Sequence, residues 1–128
     1  LDVAHNPAAA EELGAVLADE RLDDSETWAI IGVLDDKDIA GIVTPMSPHV
    51  DHWIAVTADN PRAVPAVELG RHIGTACYRP CRIVDSLQQA MEYAGSRASD
   101  NDTLLVTGSF YVVGPALRAL GLYSRRKS

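Results

Sequence analysis

Basic charge is scarce in this chain. Eleven Lys and Arg stand against 18 Asp and Glu, a net charge of −7 over 128 residues. A nucleic-acid footprint needs a basic face, so no nucleic-acid partner is expected. A local site for a single nucleotide is not excluded, because local potential need not follow net charge. The one basic cluster, Arg125, Arg126 and Lys127, reads as a solvated tail. Long apolar runs are missing too: none approaches the roughly 20 residues of a transmembrane helix, and the N-terminus carries no signal-peptide pattern. Cysteine is limited to Cys77 and Cys81. Their C-x₃-C spacing has no second ligand pair nearby, and the intervening Arg79-Pro80 reads as a turn. Two reduced, partly buried thiols in a cytoplasmic protein are expected, with no zinc site. His49, His52 and His72 have no metal-ligand spacing and read as structural or surface residues. Three glycine signatures are absent: the P-loop G-x-x-x-x-G-K-[ST], the dinucleotide G-x-G-x-x-G and the nucleophile elbow G-x-S-x-G. By itself, then, the chain has no cradle for nucleotide phosphates.

What remains is ordinary for one globular domain: 47% hydrophobic and 23% charged residues in a length that fits a single core. Apolar residues recur at three- and four-residue steps over 7–22, which predicts a helix after the cap-and-start pair Asn6-Pro7. Residues 27–33, TWAIIGV, form a β-branched apolar run that predicts a buried parallel strand. A charged loop follows, then a helix over 39–46 with Asp38 as its cap and Pro48 as its stop. A strand over 51–56 comes next, then a polar loop over 57–62 and a helix over 63–73 ended by Gly74. A short strand over 81–84, a helix over 87–98 capped by Ser86, a turn at Asp100-Asn101-Asp102, a strand over 103–107 and a helix over 110–120 complete the order. Gly114-Pro115 should kink that last helix or delay its start, and Gly121 caps its end. Strict alternation of this kind predicts an α/β fold: a mostly parallel sheet in a Rossmann-like three-layer αβα arrangement. The domain is assigned to 1–122 and the basic tail to 123–128. Leu1 is not a start Met and the first strand looks cut, so a piece of a longer protein is expected.

Ligands on such sheets bind outside the carboxyl ends of the strands. Four polar stretches are expected there: Asp2 to Asn6, Leu34 to Asp38, Thr57 to Arg62, and Gly108-Ser109. A carboxylate at Asp2 can hold a ribose hydroxyl pair or a metal-bound water. His5 can donate to a phosphate or simply pack or cap. Lys37 can meet a phosphate or a carboxylate. Arg62, after Asn60-Pro61, can form a carboxylate fork. Gly108 permits a close backbone approach, and Ser109 can hydrogen-bond a ligand.

LDVAHNP at 1–7, GVLDDKD at 32–38, NPR at 60–62 and VTGSF at 106–110 resemble, in order and spacing, the C-terminal domain of bacterial folylpolyglutamate synthase/dihydrofolate synthases, members of the Mur ligase superfamily. The resemblance spans essentially the whole chain. It implies an ATP-dependent ligase whose N-terminal P-loop domain lies outside this chain. In the cleft between the two domains, ATP phosphorylates a carboxylate of dihydropteroate or folate and the amine of L-glutamate displaces the phosphate, with Mg²⁺ neutralising the phosphates. The resemblance assigns Asp2 to the ATP ribose and His5 to the same nucleotide, and makes Ser109 a candidate for the glutamate side of the cleft. Lys37 and Asp38 match a family motif without an assigned role. No metal ligand is expected in this part of the enzyme, which should be a monomer, and the isolated chain should be catalytically silent. Val3 stands where many members have Gly. Tyr111 stands where the family often has His, so no role of that histidine carries over. A Mur-type peptidoglycan precursor ligase and a non-catalytic α/β binding module are the competing readings.

Overall fold

The computed structural model describes residues 2–5 as strand backbone, and residues 25–77, 81–99 and 102–108 in full. The expected helices over 7–22 and 110–120, with their caps, and the tail over 123–128 lie outside the described residues, as does Ser109. Five strands form one parallel sheet: β1 (Asp2–His5), β2 (Thr27–Gly32), β3 (His52–Ala55), β4 (Cys81–Ile83) and β5 (Thr103–Gly108). Their order across the sheet is β1-β5-β2-β3-β4. Helix α1 (Ile39–Met46) links β2 to β3, α2 (Ala66–Cys77) links β3 to β4, and α3 (Leu87–Arg97) returns from β4 to β5. Among the described residues the chain therefore steps outward from β2 and then back to β5. Such a reversal marks the carboxyl ends of those two strands as a place where open α/β sheets bind ligands.

The central strands are apolar on both faces, and side-chain alternation divides them into two cores. Ala29, Ile31, Trp53 and Ala55 pack with Val43 and Met46 of α1 and Leu69 and Ile73 of α2. Trp28, Ile30, Ile54 and Val106 pack on the other side with Ala90 and Ala94 of α3. These are the expected three layers. Two boundaries differ from the sequence expectation by more than one residue. The second helix begins at Ala66 rather than 63, because Ala63 and Val64 are drawn into pairing with the end of β2. It also runs through Gly74 to Cys77, since burial of Leu69, Gly70 and Ile73 holds the turn that a glycine weakens.

The amino edge is tied by carboxylates. Asp102 is 3% exposed. Its carboxylate accepts from the backbone N–H of Glu26 (2.9 Å) and Ser99 (3.0 Å), the Ser99 hydroxyl (2.9 Å) and the Trp28 indole N–H (3.1 Å). Asp51 accepts from the Thr27 N–H at 2.8 Å. His52 stacks on Trp28 with 3.9 Å between ring centroids and bonds to Glu26 at 2.9 Å, so it is a structural histidine, as expected.

Candidate functional site

The carboxyl edge is built from two loops that run together. Leu34, just past β2, pairs with Ala63 in an antiparallel bridge. The Asp35 N–H donates to the Arg62 carbonyl at 2.9 Å, and the Val64 N–H to the Val33 carbonyl at 3.0 Å. Asn60 shapes the second loop by accepting from the Arg62 N–H at 2.8 Å, the side-chain turn that an Asn-Pro pair favours. Each following helix is capped from within this edge. Asp38 accepts from the Gly41 N–H at 3.1 Å at the start of α1, and Thr57 accepts from the Ala66 N–H at 3.0 Å at the start of α2. Gly41 leaves room for that cap: a Cβ there would stand 2.5 Å from an Asp38 carboxylate oxygen.

Between the loops lies an open cavity of about 420 Å³, lined among others by Asp35, Lys37, Asp38, Pro65, Glu68 and His72. Arg62 adjoins it through Asp35: one oxygen, Oδ1, accepts from Arg62 Nε at 3.1 Å and from Nη2 at 2.9 Å. Charges of both signs thus surround a space large enough for a small zwitterion. Lys37 makes no ion pair among the described residues. Glu68 and His72 were not singled out in the sequence for this edge. Their four-residue spacing on a helix puts them on one face, and that signal was available.

The predicted site residues divide. Lys37, Asp38 and Arg62 are gathered at the carboxyl edge by the paired loops. His5 is level with Val106 and Ile30, two residues short of Gly108 and Gly32. Asp2 requires a correction: it was expected at the carboxyl edge, and it is level with Thr103 and Thr27, the first residues of β5 and β2. At about 3.3 Å per residue it lies roughly 16 Å behind the level of Gly108. The local motif placed the whole heptad at one junction, whereas pairing with β5 spreads it along a strand. Gly108 does permit a close approach, but to the protein's own backbone. Its φ is 108°, and a Cβ there would stand 2.2 Å from the Gly32 carbonyl oxygen.

Cys77 and Cys81 are thiols outside any disulfide, and both are partly buried, as expected. Burial pushes the Cys81 thiol up to about 11, a backbone hydrogen bond at Ala55 opposes this, and the neighbouring Cys77 adds to it. Among the described residues, no three His, Cys, Asp or Glu side chains are arranged to hold a metal ion, and no helix is long and apolar enough to cross a membrane.

Comparison with known proteins agrees with this architecture. A family model described as Mur ligase, glutamate ligase domain, matches residues 1–110. The dihydrofolate synthase/folylpolyglutamate synthase of Escherichia coli K12 is 38% identical over 120 residues, 93% of this chain and 27% of that protein. Among solved structures, a bifunctional folylpolyglutamate synthase/dihydrofolate synthase with Mn, AMPPNP and L-glutamate bound superposes with a TM-score of 0.78 at 35% identity, covering 94% of this chain and 28% of the other. E. coli FolC in complex with DHPP and ADP gives 0.77 at 35% identity, covering 100% and 29%. The chain therefore spans little more than a quarter of the relatives it matches. Parallel order, paired carboxyl-edge loops and matched sequence agree, and the chain belongs to the Mur ligase family as a glutamate ligase domain.

Proposed function

We propose that this chain forms one wall of the active site of an ATP-dependent ligase that adds L-glutamate to dihydropteroate and to tetrahydrofolate. The observation that carries the reading is the cavity between the paired loops, where Lys37 offers an ammonium and the adjoining Arg62–Asp35 pair a guanidinium fork, both carried on tied backbone. Its relative with bound L-glutamate makes that amino acid the natural occupant. In the reaction, an acceptor carboxylate attacks the γ-phosphorus of ATP and ADP leaves. The glutamate amine then attacks the acyl carbon, phosphate leaves with the bonding pair, and the amine loses a proton. Holding the amine near the acyl phosphate converts a bimolecular step into a local one. Lys37 meets one glutamate carboxylate as a point charge, and Arg62 meets the other with a planar fork. Asp38 serves indirectly, by capping α1 and so fixing the loop that carries Lys37. By the family resemblance, Ser109 serves the glutamate side and His5 the nucleotide, while Asp2, at the opposite end of its strand, takes no part in this proposal. Mg²⁺, when bound, neutralises the phosphates. The described residues form no ligand cluster for it, and its protein ligands belong to the P-loop domain of the longer enzyme.

The test is ADP release by the full-length protein with ATP and L-glutamate, given dihydropteroate, tetrahydrofolate or a UDP-linked muramoyl peptide as acceptor. Turnover with the pterins supports the proposal. Turnover with the muramoyl peptide alone assigns a cell-wall ligase, and no turnover with any acceptor leaves a binding module. Lys37→Met should raise the KM for glutamate about tenfold or more, with the KM for ATP within about twofold of wild type.

A further inference from the structure

We propose that Asp35 is a positioning residue: it grips the side edge of the Arg62 guanidinium and presents the end edge to a carboxylate of the incoming amino acid. The proposal rests on the glutamate-ligase reading above and adds a residue and a source of selectivity to it. A guanidinium has five N–H donors on a rigid plane. Nε and Nη2 share one edge, and Nη1 and Nη2 share the next. Asp35 Oδ1 takes both donors of the first edge, at 3.1 and 2.9 Å. Nη1 makes no hydrogen bond to any described residue, so the second edge keeps a free pair of donors for bidentate pairing. Asp36 approaches Nη2 only to 4.0 Å, too far for a hydrogen bond.

The pair is set up by the backbone before the side chains meet. The Asp35 N–H bonds to the Arg62 carbonyl at 2.9 Å, and the flanking residues Leu34 and Ala63 form the bridge between the loops. Both side chains are 60% exposed. Such a pair contributes little to fold stability. What it does is remove rotamer freedom from a long side chain, freedom that a ligand would otherwise have to quench on binding. Asp35 itself lines the cavity beside Lys37, which places the fixed fork at the rim and the mobile ammonium close by. Because Asp35 neutralises Arg62 locally, the fork contributes through directed hydrogen bonds rather than net charge, and Lys37 supplies a cation on a lining that also carries Asp38 and Glu68. A ligand with two carboxylates satisfies both groups. One with a single carboxylate and an amide leaves one of them unmatched, so the arrangement favours glutamate over glutamine.

The experiment uses the full-length enzyme with glutamate varied at saturating ATP and pterin. Asp35→Ala should raise the KM for glutamate about tenfold with kcat within about twofold, and Asp35→Asn, which keeps one acceptor oxygen, only about threefold. Arg62→Lys has no two adjacent donor edges to share between two carboxylates and should raise it about thirtyfold alone; because both changes remove one interaction, adding Arg62→Lys to Asp35→Ala should multiply the KM by no more than about three. The preference for glutamate over glutamine should fall in step. An unchanged KM in Asp35→Ala, with an active wild type, overturns the positioning role, and so does full multiplication of the two effects. A loss of kcat in step with melting temperature would make Asp35 structural and overturn it as well. A wild type that ligates no glutamate to any acceptor would overturn the functional reading instead.

Discussion

Replacing Asp102 should destabilise the fold more than any surface carboxylate does, and the cost can be worked out bond by bond. Burial opposes its charge, but the N–H groups of Glu26 and Ser99, the Trp28 indole and the Ser99 hydroxyl outweigh that and hold the carboxyl at about 2, down from 3.8. Nearly two units correspond to about 2.5 kcal/mol; solvent close to the sheet edge screens part of this, leaving about 1–2 kcal/mol. The sign follows from proton binding. Between pH 2 and 4 the unfolded chain holds more protons at this site than the folded one, so stability rises with pH across that window. The contribution is complete above about pH 5 and is lost as pH falls through the folded value near 2.

Asp102→Asn removes the charge and turns one acceptor into a donor. Each carboxylate oxygen takes two donors: Glu26 N–H and Ser99 O–H on Oδ1, Trp28 Nε1–H and Ser99 N–H on Oδ2. With the amide nitrogen toward the Ser99 hydroxyl, which can turn to accept, the Glu26 N–H loses its acceptor and the two bonds on the remaining oxygen lose their charge assistance, for a total of about 2–3 kcal/mol. That corresponds to a fall in melting temperature of about 10 °C for a chain of this size. Urea unfolding followed by tryptophan fluorescence reads it directly, because one of the chain's two tryptophans is Trp28. The Asn variant should also show a flatter stability profile between pH 2 and 4. A loss below about 0.5 kcal/mol, or an unchanged acid limb, would refute the reasoning that these four bonds work as charge-assisted ones.

Gly108→Ala should cost about 3 kcal/mol in the same unfolding assay, since the new methyl group meets the Gly32 carbonyl and φ is 108°; an alanine variant within about 0.5 kcal/mol of wild type would show that the two strand ends can separate freely. Cys81 should alkylate slowly. With its thiol near 11 against an ordinary 9, the thiolate fraction at pH 8 falls about a hundredfold, and iodoacetamide labelling of a Cys77→Ser variant should be slower than that of a free thiol by about that factor. Urea should restore the ordinary rate, and equal rates in folded and unfolded protein would contradict the burial argument.

The layer order was legible because each signal is local. TWAIIGV declares a strand buried on both faces, Asp38 and Ser86 sit where caps are needed, and both do accept the expected backbone N–H. What escaped is held by pairs distant in sequence. Asp102 reads as the end of a turn, yet its partners Glu26 and Trp28 are 76 and 74 residues away. Asp35 reads as one acid in a charged loop, yet it holds an arginine 27 residues on. The misplaced Asp2 has the same origin. Asn-Pro marks a junction, but which residues stand level with it is decided by the partner strand.

The two edges of the sheet do different work, and the difference lies in where the hydrogen bonds end. At the amino edge Asp102 spends all four of its short contacts on the protein itself, and His52 is closed between Trp28 and Glu26. A ligand that used these groups would have to break bonds that hold strands together. At the carboxyl edge the backbone is equally well tied, by the Leu34–Ala63 bridge and its flanking bonds, but the side chains are not. Among the described residues, Lys37 is uncommitted and Arg62 commits one edge of its plane out of two. A rigid main chain carrying unspent donors is the arrangement that pre-organises a binding site, because the ligand completes hydrogen bonds without ordering the loop that supplies them. Transferring the amino-edge pattern to this edge, by giving Arg62 a second internal carboxylate at its free edge, should therefore stabilise the loop and weaken glutamate binding together.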